Sequence, residues 1–276
     1  MHLYVGCAMW THKPLTRFLA ASLPRLQAYS QWCNAVEGNT TCYATPARAT
    51  VASWAAQTPP DFRLVVKLPR TITHERRLHA ASAELSAFLD AIEPLGPRAH
   101  ALWLQLPGSF TPDDLPVLAS FLRRLPPIHR YAVEVRHTAF FDNPSPLTSL
   151  LEAVDAEWIP FDTVAFFSRP PTSPAERDAW TKKPRMPRRS SAVTARPILR
   201  YLGRDSVDLT VEGWQFWVSV VASWLREGRS PTVFIHTPDN ADAPMLARRF
   251  HAEVRAQVPE VAPLPEAIPA EPPTLF

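Results

Sequence analysis

Short apolar runs recur along the chain, separated by stretches long enough for a helix. Eight of them read as strands: residues 3–6, 35–37, 63–67, 101–106, 131–136, 158–162, 198–201 and 232–236. Between them apolar residues return at helical spacing. Residues 22–33 place Leu23, Leu26, Tyr29 and Trp32 on one face, and 83–95 do the same with Leu85, Phe88, Leu89 and Ile92. Start signals mark further helices. Thr45-Pro46 supplies a cap and a first helical residue, and Ser145-Pro146 opens another helix. Thr111-Pro112-Asp113-Asp114 adds acids that face the helix dipole. A Trp-rich amphipathic stretch at 213–226 stops at Gly228, and 243–258 is the last helix.

Strands alternating with helices predict an α/β chain with a parallel sheet. Eight units within 276 residues predict a single-domain (β/α)8 TIM barrel over residues 1–258. An open doubly wound sheet is the runner-up, disfavoured because no dinucleotide fingerprint is present. Residues 166–196 form a basic, Pro-rich insertion between strands 6 and 7, with a short helix near 175–180. Residues 259–276, rich in Pro, Glu and Ala, read as a mobile tail.

Composition narrows the chemistry. Pro outnumbers Gly 31 to 7, and neither G-x-G-x-x-G nor a P-loop occurs, so a glycine-rich phosphate cradle is not expected. A net charge of +3 is near balance and does not suggest a polyanion-coating protein. Three cysteines, Cys7, Cys33 and Cys42, fit no zinc signature and read as free thiols in a reduced compartment. The start carries no export-signal pattern, and no apolar run approaches about 18 residues. A cytoplasmic protein without a membrane partner is expected.

In a barrel, chemistry gathers at the C-terminal ends of the strands. Here those ends are polar: Trp10 after strand 1, Glu37 and Asn39, Lys67, Gln105, Glu134 with Arg136 and His137, Asp162, Arg200, and His236 followed by Asp239 and Asn240. Strand parity sets Glu134 and Arg136 on one face and Val133 and Val135 on the other. The valines suit the helix layer, so the charged pair faces the axis, as do Glu37 and Lys67. Buried charges are costly unless paired. Glu37, Glu134 and Asp162 can pair with Lys67, Arg136 and Arg200. A ring of this kind predicts a pocket for a small anionic or phosphorylated molecule, held by Lys67, Arg136 and Arg200. Glu134, helped by Glu37 or Asp162, would be the acid/base. The alternative is a structural ion network closing the barrel.

No cofactor is required by these residues. A divalent metal on Glu37, Glu134, Asp162 and His236 is conceivable, but interleaved cations weaken it and no H-E-x-x-H spacing supports it, so no metal ligand is assigned. Gln105 and Arg200 stand at the ends of strands 4 and 7, where barrel glycosidases place their carboxylates. His74, in the loop after strand 3, reaches the mouth or caps the next helix, and Trp10 and Tyr43, in strand-end loops, stack on a ligand ring or pack. Cys42 reads as a small core residue. The basic run 182–189 is a solvated loop or, lying near strands 6 and 7, a contact for nucleic acid or phosphate.

The motifs also resemble a known family. Val36-Glu37-Gly38-Asn39-Thr40-Thr41-Cys42-Tyr43 looks like its V-E-x-N-x-T-x-Y motif, and Lys67-Leu68-Pro69 with Thr73-His74 looks like its K-x-P…T-H motif. Leu104-Gln105-Leu106-Pro107 and Val133-Glu134-Val135-Arg136-His137 resemble its L-Q-L-P and V-E-[VF]-R-H. Together these are similar to the YecE-like family of unknown function, numbered 72, and to its YecE branch. The resemblance implies a (β/α)8 barrel with these mouth residues and no known reaction. By fold alone the family has been likened to barrel phosphodiesterases acting on damaged DNA. Two positions depart from it. Arg200-Tyr201-Leu202-Gly203 stands where the family often has R-x-H-G, and His236-Thr237-Pro238 where it often has F-N-N.

Three functions follow as expectations. The first is an enzyme, a hydrolase or lyase acting on a phosphorylated substrate. The second is a nucleic-acid-binding protein using 182–189 and the mouth. The third is a non-catalytic barrel that binds a metabolite.

Overall fold

The computed structural model describes residues 1–11, 15, 18–20 and 22–267. The apolar runs form strands β1 (Tyr4–Cys7), β2 (Ala35–Gly38), β3 (Arg63–Lys67), β4 (Ala99–Gln105), β5 (Tyr131–Glu134), β6 (Glu157–Trp158), β7 (Phe161–Asp162), β8 (Ile198–Leu202) and β9 (Thr232–His236). The expected sixth strand is thus divided at Ile159 and Pro160. Pro160 has no N–H to give to a ladder, so regular pairing breaks there.

Helices fill the intervals: α1 (Arg25–Ser30), α2 (Arg48–Ala56), α3 (Ser82–Ile92), α4 (Leu115–Arg123), α5 (Ala139–Asp142), α6 (Ser145–Glu152), α7 (Val164–Phe167), α8 (Pro174–Lys182), α9 (Val207–Arg226) and α10 (Ala243–Gln257). α9 begins before the expected 213, because Ser206 caps it by accepting a hydrogen bond from Leu209 N. α8 lies within the expected insertion and is capped by Ser173, whose Oγ accepts from Glu176 N at 3.0 Å.

All pairing is parallel. β1-β9-β8-β7 forms one sheet and β2-β3-β4-β5-β6 a second. The expected single closed sheet is therefore found as two, of four and five strands. They approach one another at two places. Around Pro160, Ile159 N donates to Val133 O of β5 at 2.8 Å, and Pro160 O accepts from Arg200 N of β8 at 3.0 Å. Between β1 and β2, side chains replace most of the ladder. Val5 N donates to Asn34 Oδ1, and Asn34 Nδ2 donates to Leu3 O. The Tyr29 hydroxyl accepts from Cys7 N and donates to Ala35 O. One regular bridge, Ala8 to Glu37, ends this seam.

The core has a layered form. Tyr4, Ala35, Val65, Ala101, Trp103, Ala132, Ile159, Ile198 and Phe234 cluster together, drawn from both sheets. Residues of the opposite parity, among them Val5, Val36, Val66, Leu102, Leu104, Val133, Leu199 and Val233, pack with the helices. The described part of the expected tail is docked rather than free: Val261 is buried, Arg248 Nη2 donates to Pro265 O, and Ala262 N donates to Met1 O. Residues 268–276 of that tail lie outside the described residues. No helix among the described residues is long and apolar enough to cross a membrane.

The β1–β2 seam depends on Gly6. A Cβ there would lie 2.0 Å from Ala35 O, a backbone atom that cannot swing away. Gly6→Ala is expected to lower unfolding free energy by roughly 2 kcal/mol or more. Urea denaturation checks this, and an unchanged midpoint would mean that the seam is loosely packed.

Candidate functional site

The strand ends converge as parity requires. Glu37 lies in β2 one residue before its end, Lys67 ends β3, Gln105 ends β4, Glu134 ends β5, Arg200 lies in β8 and His236 ends β9. All six are buried. Arg200 is the hub. Its Nε and Nη2 donate to the two oxygens of Glu37 at 2.8 and 2.9 Å, and its Nη1 donates to Glu134 Oε2 at 2.8 Å. The guanidinium carbon lies 4.5 Å from the Trp103 ring centroid and 4.3 Å from that of Phe161. Three further donors complete the carboxylates. His236 Nε2 lies 2.9 Å from Glu37 Oε2, Asn39 Nδ2 donates to Glu37 Oε1 at 2.7 Å, and Arg136 Nε donates to Glu134 Oε1 at 2.9 Å.

These contacts set the protonation. Burial raises the Glu37 pKa, but Arg200 and then His236 outweigh it and hold the carboxyl well below the usual range. Glu134 is likewise lowered, with Arg200 and Arg136 overcoming burial. Burial lowers His236 despite Glu37, so its ring is neutral at pH 7. Burial, assisted by Arg200, pushes Lys67 down to about 8 against the opposing pull of Glu37 and Glu134. Its ammonium sits 4.1 Å above the Trp103 ring and forms no hydrogen bond or salt bridge among the described residues.

Above this cluster lies a cavity of about 620 Å³. Lys67, Gln105, Arg136, Arg200 and His236 line it, with Asn39 and the 76%-exposed Tyr43 at its rim. Two side-chain oxygens at its wall, Asn39 Oδ1 and Gln105 Oε1, are buried and have no hydrogen-bond partner among the described residues. Such orphaned acceptors are uncommon and suit a ligand's donors.

Several expected roles change. Asp162 is not in the mouth. In the β7–β8 register Phe161 pairs with Arg200 and takes the inward position, while Asp162 pairs with Tyr201 on the outer side. Asp162 there binds the Trp217 indole N–H, Arg188 Nε and Val164 N. Glu134 lies beneath the cavity and not on its wall, with an oxygen given to each arginine. It is a poor acid/base as it stands, and Arg200 is a poor anion holder because its charge is spent on two glutamates. His137 turns away, its Nδ1 accepting from Ala139 N at the start of α5. Trp10 is buried edge-on against Trp54. His74 is half-buried in the turn Thr71–Glu75 after β3. Its Nδ1 lies 2.9 Å from Thr73 Oγ1, and burial, with Arg136 and Lys67 nearby, lowers its pKa. The conceivable metal set does not assemble. Arg200 stands between Glu37 and Glu134, Asp162 points elsewhere, and no metal-holding group of three His, Cys, Asp or Glu forms among the described residues.

The expected solvated basic loop is largely spent on contacts. Arg185 stacks on Phe167 and Trp180, Arg188 binds Asp162, and Arg189 lies over Trp158. Lys183 lines the cavity, where burial first and Arg200 second lower its pKa. Sequence reasoning missed this residue. It sits within the basic run 182–189, and what distinguishes it from Lys182, which ends α8 and pairs with Asp178, is the bend at Lys183 just after the helix.

The comparisons with known proteins agree with this frame. The family described as "Protein of unknown function DUF72" matches residues 4–272. The chain belongs to the DUF72 family. UPF0759 protein YecE of Escherichia coli K12 is 36% identical over 274 residues, covering 98% of each chain. A crystal structure of a DUF72 family protein from Enterococcus faecalis V583 aligns over 99% of this chain and 100% of that one, with a TM-score of 0.68 and 17% identity. Another, from Thermotoga maritima MSB8, covers 94% of this chain and 100% of its own, with a TM-score of 0.66 and 19% identity. These structural likenesses to DUF72 proteins concern the fold, and none of the descriptions names a reaction.

Glu134→Gln is expected to destabilise the protein by about 3 kcal/mol, because it strips one charge from a buried cluster and leaves Arg200 undercompensated. Both glutamates have folded pKa values below their ordinary one. The stability they contribute is therefore complete above about pH 4.5 and is lost as pH falls through the folded values. Urea unfolding of wild type and Glu134→Gln between pH 7 and pH 3 checks both points, and the variant should lose less on acidification.

Proposed function

We propose that the two sheets are the halves of one closed (β/α)8 barrel and that its mouth binds a small molecule carrying a phosphate or carboxylate. The closure reading is supported by hydrogen bonds on both sides of Pro160, by the Ala8–Glu37 bridge, and by an inner core drawn from both sheets.

One observation carries the binding reading: the charge at the mouth does not balance. Arg200 and Arg136 neutralise Glu37 and Glu134 through direct hydrogen bonds. Lys67 and Lys183 remain, facing the same cavity without a carboxylate bonded to either. Two uncompensated cations in a partly desolvated pocket attract an anion far more strongly than two on an open surface. Arg136, whose side chain is 25% exposed, keeps donors available at the rim. Asn39 Oδ1 and Gln105 Oε1 would then receive hydroxyl or amine protons from the rest of the ligand. The packing of 185–189 against aromatic rings and Asp162 gives the nucleic-acid alternative less surface to use.

The test is thermal unfolding with inorganic phosphate, pyrophosphate, citrate, glucose and a short single-stranded oligonucleotide. Saturable stabilisation by one of the small anions, absent with glucose, is expected. At about 100-fold the dissociation constant it amounts to roughly 2.7 kcal/mol. Lys67→Met and Lys183→Met should each weaken it. Stabilisation by the oligonucleotide alone, with steep salt dependence, would replace this reading with nucleic-acid binding.

A further inference from the structure

The chain has 29 basic residues, and only four of them are lysines: Lys13, Lys67, Lys182 and Lys183. Two of the four line the same cavity. Arginine serves wherever this protein needs a permanent buried cation, as at Arg200 and at Arg204, which binds Glu176. Lysine differs from arginine in one chemical respect that matters inside a pocket: it can lose its proton and act as a nucleophile.

We propose that Lys67 is a nucleophilic lysine that forms an imine with a small aldehyde or ketone carrying a phosphate or carboxylate group. The proposal rests on the anion-binding reading of the mouth and adds the reacting atom. The Lys67 amine stands at the C-terminal end of β3, on the cavity wall, against the face of Trp103. It has neither a carboxylate nor a hydrogen-bond acceptor holding it. Charged groups face it from every side. Glu37 approaches from β2, Glu134 and Arg136 from β5 and the loop after it, and Arg200 from β8, while Lys183 lines the same cavity from the segment after α8. His74 lies on the turn that follows β3. Burial first and Arg200 second push the amine down to about 8, against the opposing pull of Glu37 and Glu134. At neutral pH roughly a tenth of it is unprotonated. Desolvation beside other cations is the recognised way to activate such an amine.

The step balances without a redox partner. The amine lone pair attacks the carbonyl carbon and a C–N bond forms, while the carbonyl π pair moves to oxygen. That oxygen takes two protons, both originally on nitrogen, and leaves as water. Aldehyde and amine thus give imine and water. Lys183 and Arg136 would hold the anionic group, and Gln105 Oε1 and Asn39 Oδ1 would accept from substrate hydroxyls. Once protonated, the imine draws electrons from an adjacent C–H or C–C bond, so the reaction class is that of lyases, aldolases or isomerases.

Borohydride trapping on the intact protein tests this. Glycolaldehyde phosphate, glyceraldehyde 3-phosphate and pyruvate are the probes, unphosphorylated glycolaldehyde is the control, and the products are read by intact mass and peptide mapping. With four lysines the map is unambiguous. The expected result is one reduced adduct on Lys67, at least about tenfold more abundant than with the neutral aldehyde. It should be suppressed by excess inorganic phosphate, be absent in Lys67→Arg, and form at a rate that rises with pH to a midpoint near 8. Lys67→Arg keeps the charge and so guards against a folding failure. Adducts spread over Lys182 and the N-terminus, indifferent to phosphate, would overturn the proposal. Saturable phosphate binding in the thermal assay with no Lys67 adduct would overturn the imine and leave the anion site standing. Neither binding nor adduct would remove both.

Discussion

A guanidinium buried between two sheets constrains everything around it. Arg200 belongs to the four-stranded sheet, and both of its carboxylate partners, Glu37 and Glu134, belong to the five-stranded one. An ion of this kind loses its hydration on folding and regains the energy only if its donors meet acceptors in good geometry. Three of its nitrogens do so, and two aromatic rings flank it. The ends of β2, β5 and β8 are thereby held at fixed separations. His236 adds a second tie across the same gap, to the same glutamate. Where the backbone ladder between the sheets is thin, charge joins them.

That arrangement divides the mouth into a floor and a rim. Arg200, Glu37 and Glu134 form the floor, and Arg136 at the rim completes the neutralisation of the two glutamates. The rim then holds lysines that the floor does not need, and this separation gives the cavity its chemical character. A glutamate held by cations has its pKa lowered, and that makes it a weak base. Carboxylates at strand ends, which in isolation suggest acid/base chemistry, are here tied to Arg200 and Arg136.

Much of this was legible in the chain. The alternation of Val133, Glu134, Val135 and Arg136 states which residues face inward, and the same parity holds at Glu37 and Lys67. It fails at Asp162 for a local reason. Pro160 interrupts the strand, and the bulky Phe161 takes the inward place that a charge at a strand end seemed to claim. The seam between β1 and β2 was not legible either, because its rungs are side chains of Asn34 and Tyr29, which no strand pattern announces. Pairing preferences are also invisible to parity. Nothing in the sequence says that Arg200 would take both glutamates and leave Lys67 with neither. That outcome follows from shape, since a planar fork can give two parallel donors to Glu37 and a third to Glu134, a fixed arrangement that a point-charge ammonium does not supply.

The difference between those two cations decides what the mouth can do. If arginine stood at position 67, the cavity would hold a permanent charge and could only bind. With lysine there, desolvation works against the charge, and the same burial that would be a cost elsewhere makes a neutral amine accessible near physiological pH. The stacked Trp103 ring restricts where that amine can go, and under the proposed function the surplus of positive charge would favour a ligand that brings a negative one. The two cations thus differ at this site: Arg200 ties the two sheets together through a charge it cannot lose, and Lys67 stands apart because it can lose its own.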